Sequence, residues 1–208
     1  TPEEGNHSAQ YTYDYRYLLD TYSKVDAAPV TVLRDAQTGK LVKTLETADI
    51  ATLKKHGWVA PEVFVAKGRD GKTDMWGIIQ RPTNFDPNKK YPVIEYIYAG
   101  PGDAYTPKSF MPYNWYTTSL AELGFIVVQL DAMGTSYRGK KFEEVCYKNL
   151  KDAGFPDLNS GLRLPPRSIL IWMRIMWQST AVRQADRRVL PPYCCMAIST
   201  RLPIVPAA

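Results

Sequence analysis

The stretch Tyr91-Pro-Val-Ile-Glu-Tyr-Ile-Tyr98-Ala-Gly-Pro101 constrains the fold more than any other. Val93, Ile94, Tyr96 and Ile97 are β-branched or aromatic and suit a buried strand, whereas Ala99-Gly100-Pro101-Gly102 cannot extend one and has to turn. Tyr98 therefore stands at a strand's end. Its phenol either points a hydrogen-bond donor into a cleft or leaves its ring in the core with the hydroxyl at the rim. A second run, Phe125-Ile-Val-Val-Gln-Leu130, is apolar without alternation, the pattern of a strand covered on both faces and hence of a parallel or mixed sheet.

Around these two runs the chain alternates strand and helix signals. Val30-Thr-Val-Leu33 and Leu41-Val-Lys-Thr-Leu45 flank the turn-rich Asp35-Ala-Gln-Thr-Gly39 and predict a hairpin. Tyr11, Tyr13, Tyr15 and Tyr17 alternate with polar residues and predict one half-buried sheet face; with no basic residue beyond Arg16 among them, they do not form a stacking platform for bases. Residues 48–56 predict a helix closed by Gly57. Val63-Phe-Val-Ala66 and Met75-Trp-Gly-Ile-Ile79 bracket Gly68-Arg-Asp-Gly71, a second hairpin, and Thr118 to Leu123 predicts a helix capped by Gly124. Residues 138–150 carry Phe142, Val145, Cys146, Tyr147 and Leu150 at helical spacing and predict one amphipathic helix over the sheet. The order predicts an α/β fold.

Charge divides the chain unevenly. Residues 1–157 hold 19 basic and 20 acidic side chains, whereas residues 158–208 hold seven Arg, no Lys and the single acid Asp186. The basicity thus belongs to the tail, where Arg scattered among Pro and Trp gives no compact basic run and argues against a nucleic-acid partner. Cys194 and Cys195 are adjacent and poorly placed to bridge each other, and no cysteine or histidine spacing fits a metal. The most apolar stretch, Ile169 to Trp177, is far shorter than the roughly 20 residues that span a bilayer and contains Arg174. Thr1 in place of Met reads as an excerpt of a longer protein.

Residues 6–157 resemble the prolyl oligopeptidase family of serine peptidases, most closely its dipeptidyl-peptidase-IV-like branch. The resemblance is carried by Asp20-Thr-Tyr-Ser-Lys-Val-Asp26, Gly57-Trp58 with Pro61-Glu62, Lys67-Gly-Arg-Asp-Gly71 with Trp76-Gly77, Tyr98-Ala-Gly-Pro101, Gly134-Thr135 with Tyr137-Arg-Gly-Lys140, and Lys148-Asn-Leu-Lys-Asp-Ala-Gly-Phe-Pro156. It implies that residues 1–47 are the end of a β-propeller and that 48–157 are a linker and the N-terminal part of an α/β-hydrolase domain. It further implies that Tyr98 lends its hydroxyl to an oxyanion hole, a donor worth around 3 kcal/mol of transition-state stabilisation in such sites. The implied substrate is a peptide, with no cofactor and no metal. Members of the branch are often exported, and a homodimer is a possible state of the parent enzyme.

A hydrolase of this fold needs a serine on a Gly-x-Ser-x-Gly elbow, then an acid, then a histidine. No such elbow occurs in this sequence. Gly134-Thr-Ser136-Tyr-Arg-Gly139 has one residue too many and follows the wrong strand; His7 and His56 precede every plausible nucleophile and suit solvated surface positions. The pair Glu143-Glu144 is not the propeller pair that grips a substrate amino terminus in this branch. Nucleophile, acid and base are thus expected to be missing, and the chain to be inactive, with a noncatalytic peptide- or partner-binding module as the alternative.

The resemblance ends near Asp157, and a shifted reading frame accounts for the tail. Because Met and Trp have one codon each, Trp172-Met173, Met176-Trp177, Trp177-Gln178 and Met196-Ala197 force Asp, Val, Ala and Gly in the frame offset by two bases. One permitted reading from Leu162 onward is KAAAEVYPYMDADNVAIYGRSAGGQ, with the helix, strand and elbow that the family shows next. Residues 158–208 are accordingly expected to be unrelated to the fold and disordered or loosely collapsed.

Overall fold

The computed structural model describes residues 2–89, 91–97, 100–149, 154, 156 and 157, together with the backbone of 169–176. Two compact units are present, one of Thr1–Pro61 with Pro107–Asn114 and one of Glu62–Thr106 with the chain from Trp115 onward.

The first unit is an antiparallel sheet of β1 (Asn6–Tyr11), β2 (Tyr17–Lys24), β3 (Ala27–Asp35) and β4 (Leu41–Thr47), ordered as in the sequence. The expected hairpin is β3 and β4, with Val32 facing Thr44 and Leu33 facing Lys43. Asp35 makes its turn, accepting the backbone N–H of Gln37 and Thr38 at 3.1 and 2.8 Å, while Gly39 takes φ 69°. The tyrosine alternation does not mark a sheet face. It runs through the turn between β1 and β2, where Thr12 N–H bonds the Tyr17 carbonyl and Tyr15 has φ 56°, so Tyr11, Tyr13 and Tyr15 are exposed. A period of two means a strand face only where the backbone stays extended. Helix α1 (Ala51–Lys55) places Lys54 and Lys55 in its last turn, where cations favour the dipole, and Gly57 at φ 87° ends it.

Buried in this unit, among the described residues, are Asp20, Ser23, Val25, Val32 and Arg34. Arg34 Nε donates to Asp20 Oδ2 at 3.0 Å, and its Nη2 reaches the Glu3 carboxylate. His7 Nδ1 lies 2.9 Å from Asp20 Oδ1, and its ring stacks on Tyr22 with centroids 5.1 Å apart. His7 is therefore not the solvated residue expected: its partner Asp20 is fully buried and needs the imidazole to satisfy a carboxylate already shared with Arg34. His56, at the end of α1, is exposed.

The second unit is a mixed sheet of β5 (Glu62–Lys67), β6 (Asp74–Gln80), β7 (Tyr91–Ile97), β8 (Ile126–Leu130) and β9 (Ile169–Met176) in the order β5-β6-β8-β7-β9. β5 and β6 form the second expected hairpin, closed by Asp70, whose carboxyl is held at about 2 by the Thr73 hydroxyl and the N–H groups of Thr73 and Lys72. β8 is buried at every position and lies antiparallel to β6 and parallel to β7, as its unbroken apolar run requires. The crossover between β7 and β8 carries α2 (Trp115–Glu122), which starts three residues before the expected Thr118 and is capped by Gly124 at φ 95°.

Gly77 sits where β6 meets both neighbours: a Cβ there would lie 2.5 Å from Phe64 Cε1 and 2.8 Å from the Gln129 carbonyl. Only a glycine lets these strands approach.

Two expectations fail in this unit. Residues 138–150 do not form one helix; α3 (Lys140–Glu143) is followed by a 3₁₀ turn (Glu144–Cys146), after which Tyr147 is extended and Lys148 takes φ 56°. Phe142 and Cys146 supply the buried contacts in one turn each, while Tyr147 is exposed, so nothing holds a further turn to the sheet. Nor is the tail wholly without structure. Ile169-Leu-Ile-Trp-Met-Arg-Ile-Met176 is β9, parallel to β7 from Tyr91 to Ile97, because a β-branched apolar run finds the ladder groups that β7 leaves open on that side. Among the described residues no helix is long and apolar enough to cross a membrane.

Candidate active site

Because β7 and β8 are parallel, their carboxyl ends, Ile97 and Leu130, leave the sheet on the same edge. In open α/β sheets that edge is where ligands bind, since the connecting loops there are free to carry side chains while the strands hold them in place. Here the loops are residues 100–106 after β7 and residues 131–138 after β8.

The first loop turns on glycine. Gly100 and Gly102 have φ 123° and 111°, which residues with a Cβ rarely adopt. Asp131, 3% exposed, fixes the far end of this loop, its Oδ1 accepting the N–H of Tyr105 at 2.7 Å and of Thr106 at 2.9 Å. Gln129 donates from Nε2 to the Tyr105 carbonyl at 2.7 Å. A buried strand thus ends in two polar side chains that replace the missing ladder of the loop.

Ser136 ties the loops directly. Its Oγ accepts the Gly102 N–H at 3.0 Å and donates to Glu143 Oε1 at 3.2 Å, and its own N–H donates to the Asp103 carbonyl at 3.1 Å. Next to it Tyr137 is held at φ 67° with its ring exposed. Gly134 donates its N–H to the Phe142 carbonyl at 2.7 Å, and Cys146, buried, lies 3.5 Å from the Gly134 carbonyl. Pro101, Tyr137, Glu143, Cys146 and Tyr147 line a cleft of about 720 Å³, large enough for a small ligand. Glu144, in the 3₁₀ turn rather than on a long helix, pairs with Lys140 at 3.5 Å.

A second anchor joins distant parts of the chain. Arg69 holds Asp157, which is fully buried, through its backbone N–H at 2.7 Å, Nε at 3.0 Å and Nη2 at 2.6 Å. Such a bidentate pair with a backbone donor satisfies the carboxylate almost completely.

Tyr98 lies outside the described residues, as does the greater part of residues 158–208. The structure brings together its flanks, the end of β7 and the Gly100–Gly102 turn, with Ser136 and the Glu143 carboxylate. His7 and His56 belong to the first unit. Among the described residues no three His, Cys, Asp or Glu converge as a metal site would require. The residue pattern did not single out Asp131, Gln129 or the Arg69–Asp157 pair. For Asp131 a signal existed: an acid directly after a fully buried run must find donors.

Residues 111–164 match the profile of the prolyl oligopeptidase family. The chain is 29% identical over 143 residues to mouse prolyl endopeptidase FAP, covering 67% of this chain and 19% of that protein. It is 44% identical over 71 residues to the Arthroderma gypseum protein named "Probable dipeptidyl-aminopeptidase B", covering 34% of this chain and 8% of that one. A Bacteroides ovatus crystal structure assigned as a dipeptidyl aminopeptidase IV superposes with TM-score 0.66 at 30% identity, over 83% of this chain and 25% of that one. Porphyromonas gingivalis dipeptidyl peptidase 4 shares the fold, with TM-score 0.60 at 22% identity over 86% of this chain and 26% of that one. The chain spans at most about a quarter of the length of these relatives. With the matched profile, the curated relatives and the superposed structures in agreement, the chain belongs to the prolyl oligopeptidase family, in its dipeptidyl-peptidase-IV-like branch.

Proposed function

We propose that this chain is a segment of a serine peptidase that cleaves peptides by acyl transfer, and that it carries the oxyanion side of the site without the nucleophile. In this reading residues 1–47 are the last strands of a propeller, 48–157 a linker and the opening part of the hydrolase sheet, and 158–208 a tail read in a shifted frame. Tyr98 is the oxyanion donor. Its phenolic O–H would bond the oxygen that becomes negative as the scissile carbonyl turns tetrahedral, a bond stronger in the transition state than in the substrate.

What carries the reading is the pair of loops at the carboxyl ends of β7 and β8, with the glycine turn after Tyr98 bonded to Ser136 and the N–H groups of Tyr105 and Thr106 bonded to Asp131. Catalysis by electrostatic stabilisation needs a donor whose position is fixed before the charge develops, and this loop has three backbone groups fixed by side chains from the neighbouring connection. Ser136 does not serve as the nucleophile in this reading. Its hydroxyl proton is committed to Glu143, and no histidine lies in the sequence after it to act as base.

The parent enzyme would take a peptide substrate, without metal or cofactor, and would be free to dimerise and to be exported; nucleic acid is not a partner in this reading. A serine-directed fluorophosphonate probe and a dipeptidyl nitroanilide substrate test it together. Neither labelling nor turnover is expected of this chain, and stoichiometric labelling with turnover would overturn the reading. Peptide binding without labelling would turn it toward a binding module that uses the same cleft.

A further inference from the structure

We propose that the cleft beside the glycine turn receives the C-terminal end of a short peptide, with Lys148 pairing its terminal carboxylate and the rings of Tyr137 and Tyr147 flanking its last side chain. Charge points to that occupant. Of the charged side chains that line the cleft, Lys140 and Glu144 neutralise each other at 3.5 Å, and Glu143 accepts the Ser136 hydroxyl at 3.2 Å. Lys148 differs. Its ammonium lies 5.4 Å from the centre of the Tyr147 ring, and no carboxylate among the described residues pairs with it. The neighbouring Arg138 is committed elsewhere, to the Asp74 carbonyl at 2.9 Å and the face of Phe142. A ring face satisfies only part of an ammonium's three donors, so an incoming carboxylate adds bonds without breaking an existing ion pair.

The same charges give the peptide a direction. Glu143 is tied through Ser136 to the Gly102 N–H, whereas Lys148 belongs to the Tyr147 wall, so a carboxylate is repelled beside the glycine turn and attracted at that wall. A bound peptide then runs from the Gly100–Gly102 turn toward its own C-terminus. The volume of about 720 Å³ takes a short peptide end rather than one side chain. Tyr137 and Tyr147 are 80% and 70% exposed, and this ring area is what a bound side chain would cover. Their backbone is held in advance. Phe142 and Cys146 root the segment in the core, and the N–H groups of Tyr147 and Asn149 donate to the carbonyls of Glu144 and Cys146 at 2.9 and 3.0 Å, so little order has to be gained on binding. Among the described residues three non-glycines have a left-handed backbone, and two of them, Tyr137 and Lys148, line this cleft, in keeping with strain retained where a ligand is clamped. This role deepens the peptidase reading and rests on its peptide substrate.

The test titrates the full chain, labelled with ¹⁵N, with N-acetyl-Ala-Ala-Phe as the free acid and as the C-terminal amide. The acid is expected to shift the amide resonances of residues 143–149 and to bind on the order of tenfold more tightly than the amide, the factor that one charge-assisted hydrogen bond supplies. Lys148→Gln should bring the acid down to the affinity of the amide, Lys148→Arg should keep the preference, and Lys140→Gln should leave it in place. Tyr137→Ala should weaken acid and amide alike, by roughly tenfold for the lost ring contact. Equal affinity of acid and amide in the unchanged chain overturns the proposal, as does a preference that survives Lys148→Gln or a set of shifts confined to other residues. Acetate that displaces the tripeptide at equal concentration would reduce the cleft to a simple anion site and overturn the peptide assignment. Should Tyr137→Ala fail to fold, the Lys148 variants decide, since that side chain is exposed. Fluorophosphonate labelling with turnover would count against the proposed function and leave the difference between acid and amide untouched.

Discussion

The four-stranded sheet and the turn between β2 and β3 bury Asp20, Ser23 and Arg34 beside only Val25 and Val32, whereas the mixed sheet buries Gln80, Glu95 and Gln129 within a much larger apolar set that includes Met75, Ile78, Val93, Ile94, Ile126, Val127 and Val128. In the first, a carboxylate and a guanidinium exclude water and must satisfy each other; in the second, apolar area removed from water supplies the stability at about 25 cal/mol per Å². The difference teaches where each unit is vulnerable. Ionic burial fails when one partner is lost or its charge changes, while apolar burial fails when volume is lost.

The largest expected effect is therefore Asp20→Ala. It leaves buried Arg34 with Glu3 as its remaining carboxylate partner and should cost about 3–5 kcal/mol, read as lost hydrogen-exchange protection over β1 to β3 with β6 and β8 unchanged. Equal loss in both units would break the comparison. Met75→Ala should cost about 2–5 kcal/mol by transfer and cavity terms, because Met75 is fully buried against Ile97, Leu130 and Phe142; here protection should fall in β6 and β8 and persist in β2.

A third expectation is pH. The hydrogen bond to Asp20 raises the His7 pKa against the opposing effect of burial, so the stability this contributes is complete below about 6.5, the unfolded value, and is lost as pH rises through the folded one. Burial pushes the Asp20 carboxyl up, but hydrogen bonds from His7 and Arg34 outweigh it and leave it below its ordinary value. That contribution is present above about 3.9 and is lost as pH falls through the folded value. The first unit should thus be most stable between about pH 4 and 6.5. Exchange protection of β2 measured across pH would sharpen the contrast, and a flat profile there would remove it.

The smallest effect belongs to Trp76→Thr. Trp76 is 47% exposed opposite Val65, and its loss should shift thermal stability by no more than about 0.5 kcal/mol. A larger loss would mean that this face packs against something.

Much of this was legible in the chain itself. Phe125 to Leu130 signalled a doubly covered strand, which β8 is from Ile126 onward, and Asp35 and Asp70 each announced a turn whose N–H groups they now accept. Helical spacing over residues 138–150 misled because Phe142 and Cys146 do face the core, yet the backbone between and after them is 3₁₀ and then left-handed at Lys148. Periodicity reports which side chains go inward, not how many hydrogen bonds hold them there. Within the site, the turn after Tyr98 could be read, but Ser136, Asp131 and the Arg69–Asp157 pair join residues far apart in sequence, and single-residue chemistry does not say which acid meets which donor.

The strand order carries one more consequence, for synthesis on the ribosome. β8 lies between β6 and β7, so after Gln80 emerges β6 has no inner neighbour until Ile126 is made. At about 5–20 residues per second that interval lasts on the order of seconds, with Ile78 and Ile79 waiting beside an open ladder. Arg69 waits longer still, for Asp157. Nascent chains halted before residue 126 should therefore recruit chaperones more strongly than those halted after residue 157, in which β8 already covers β6.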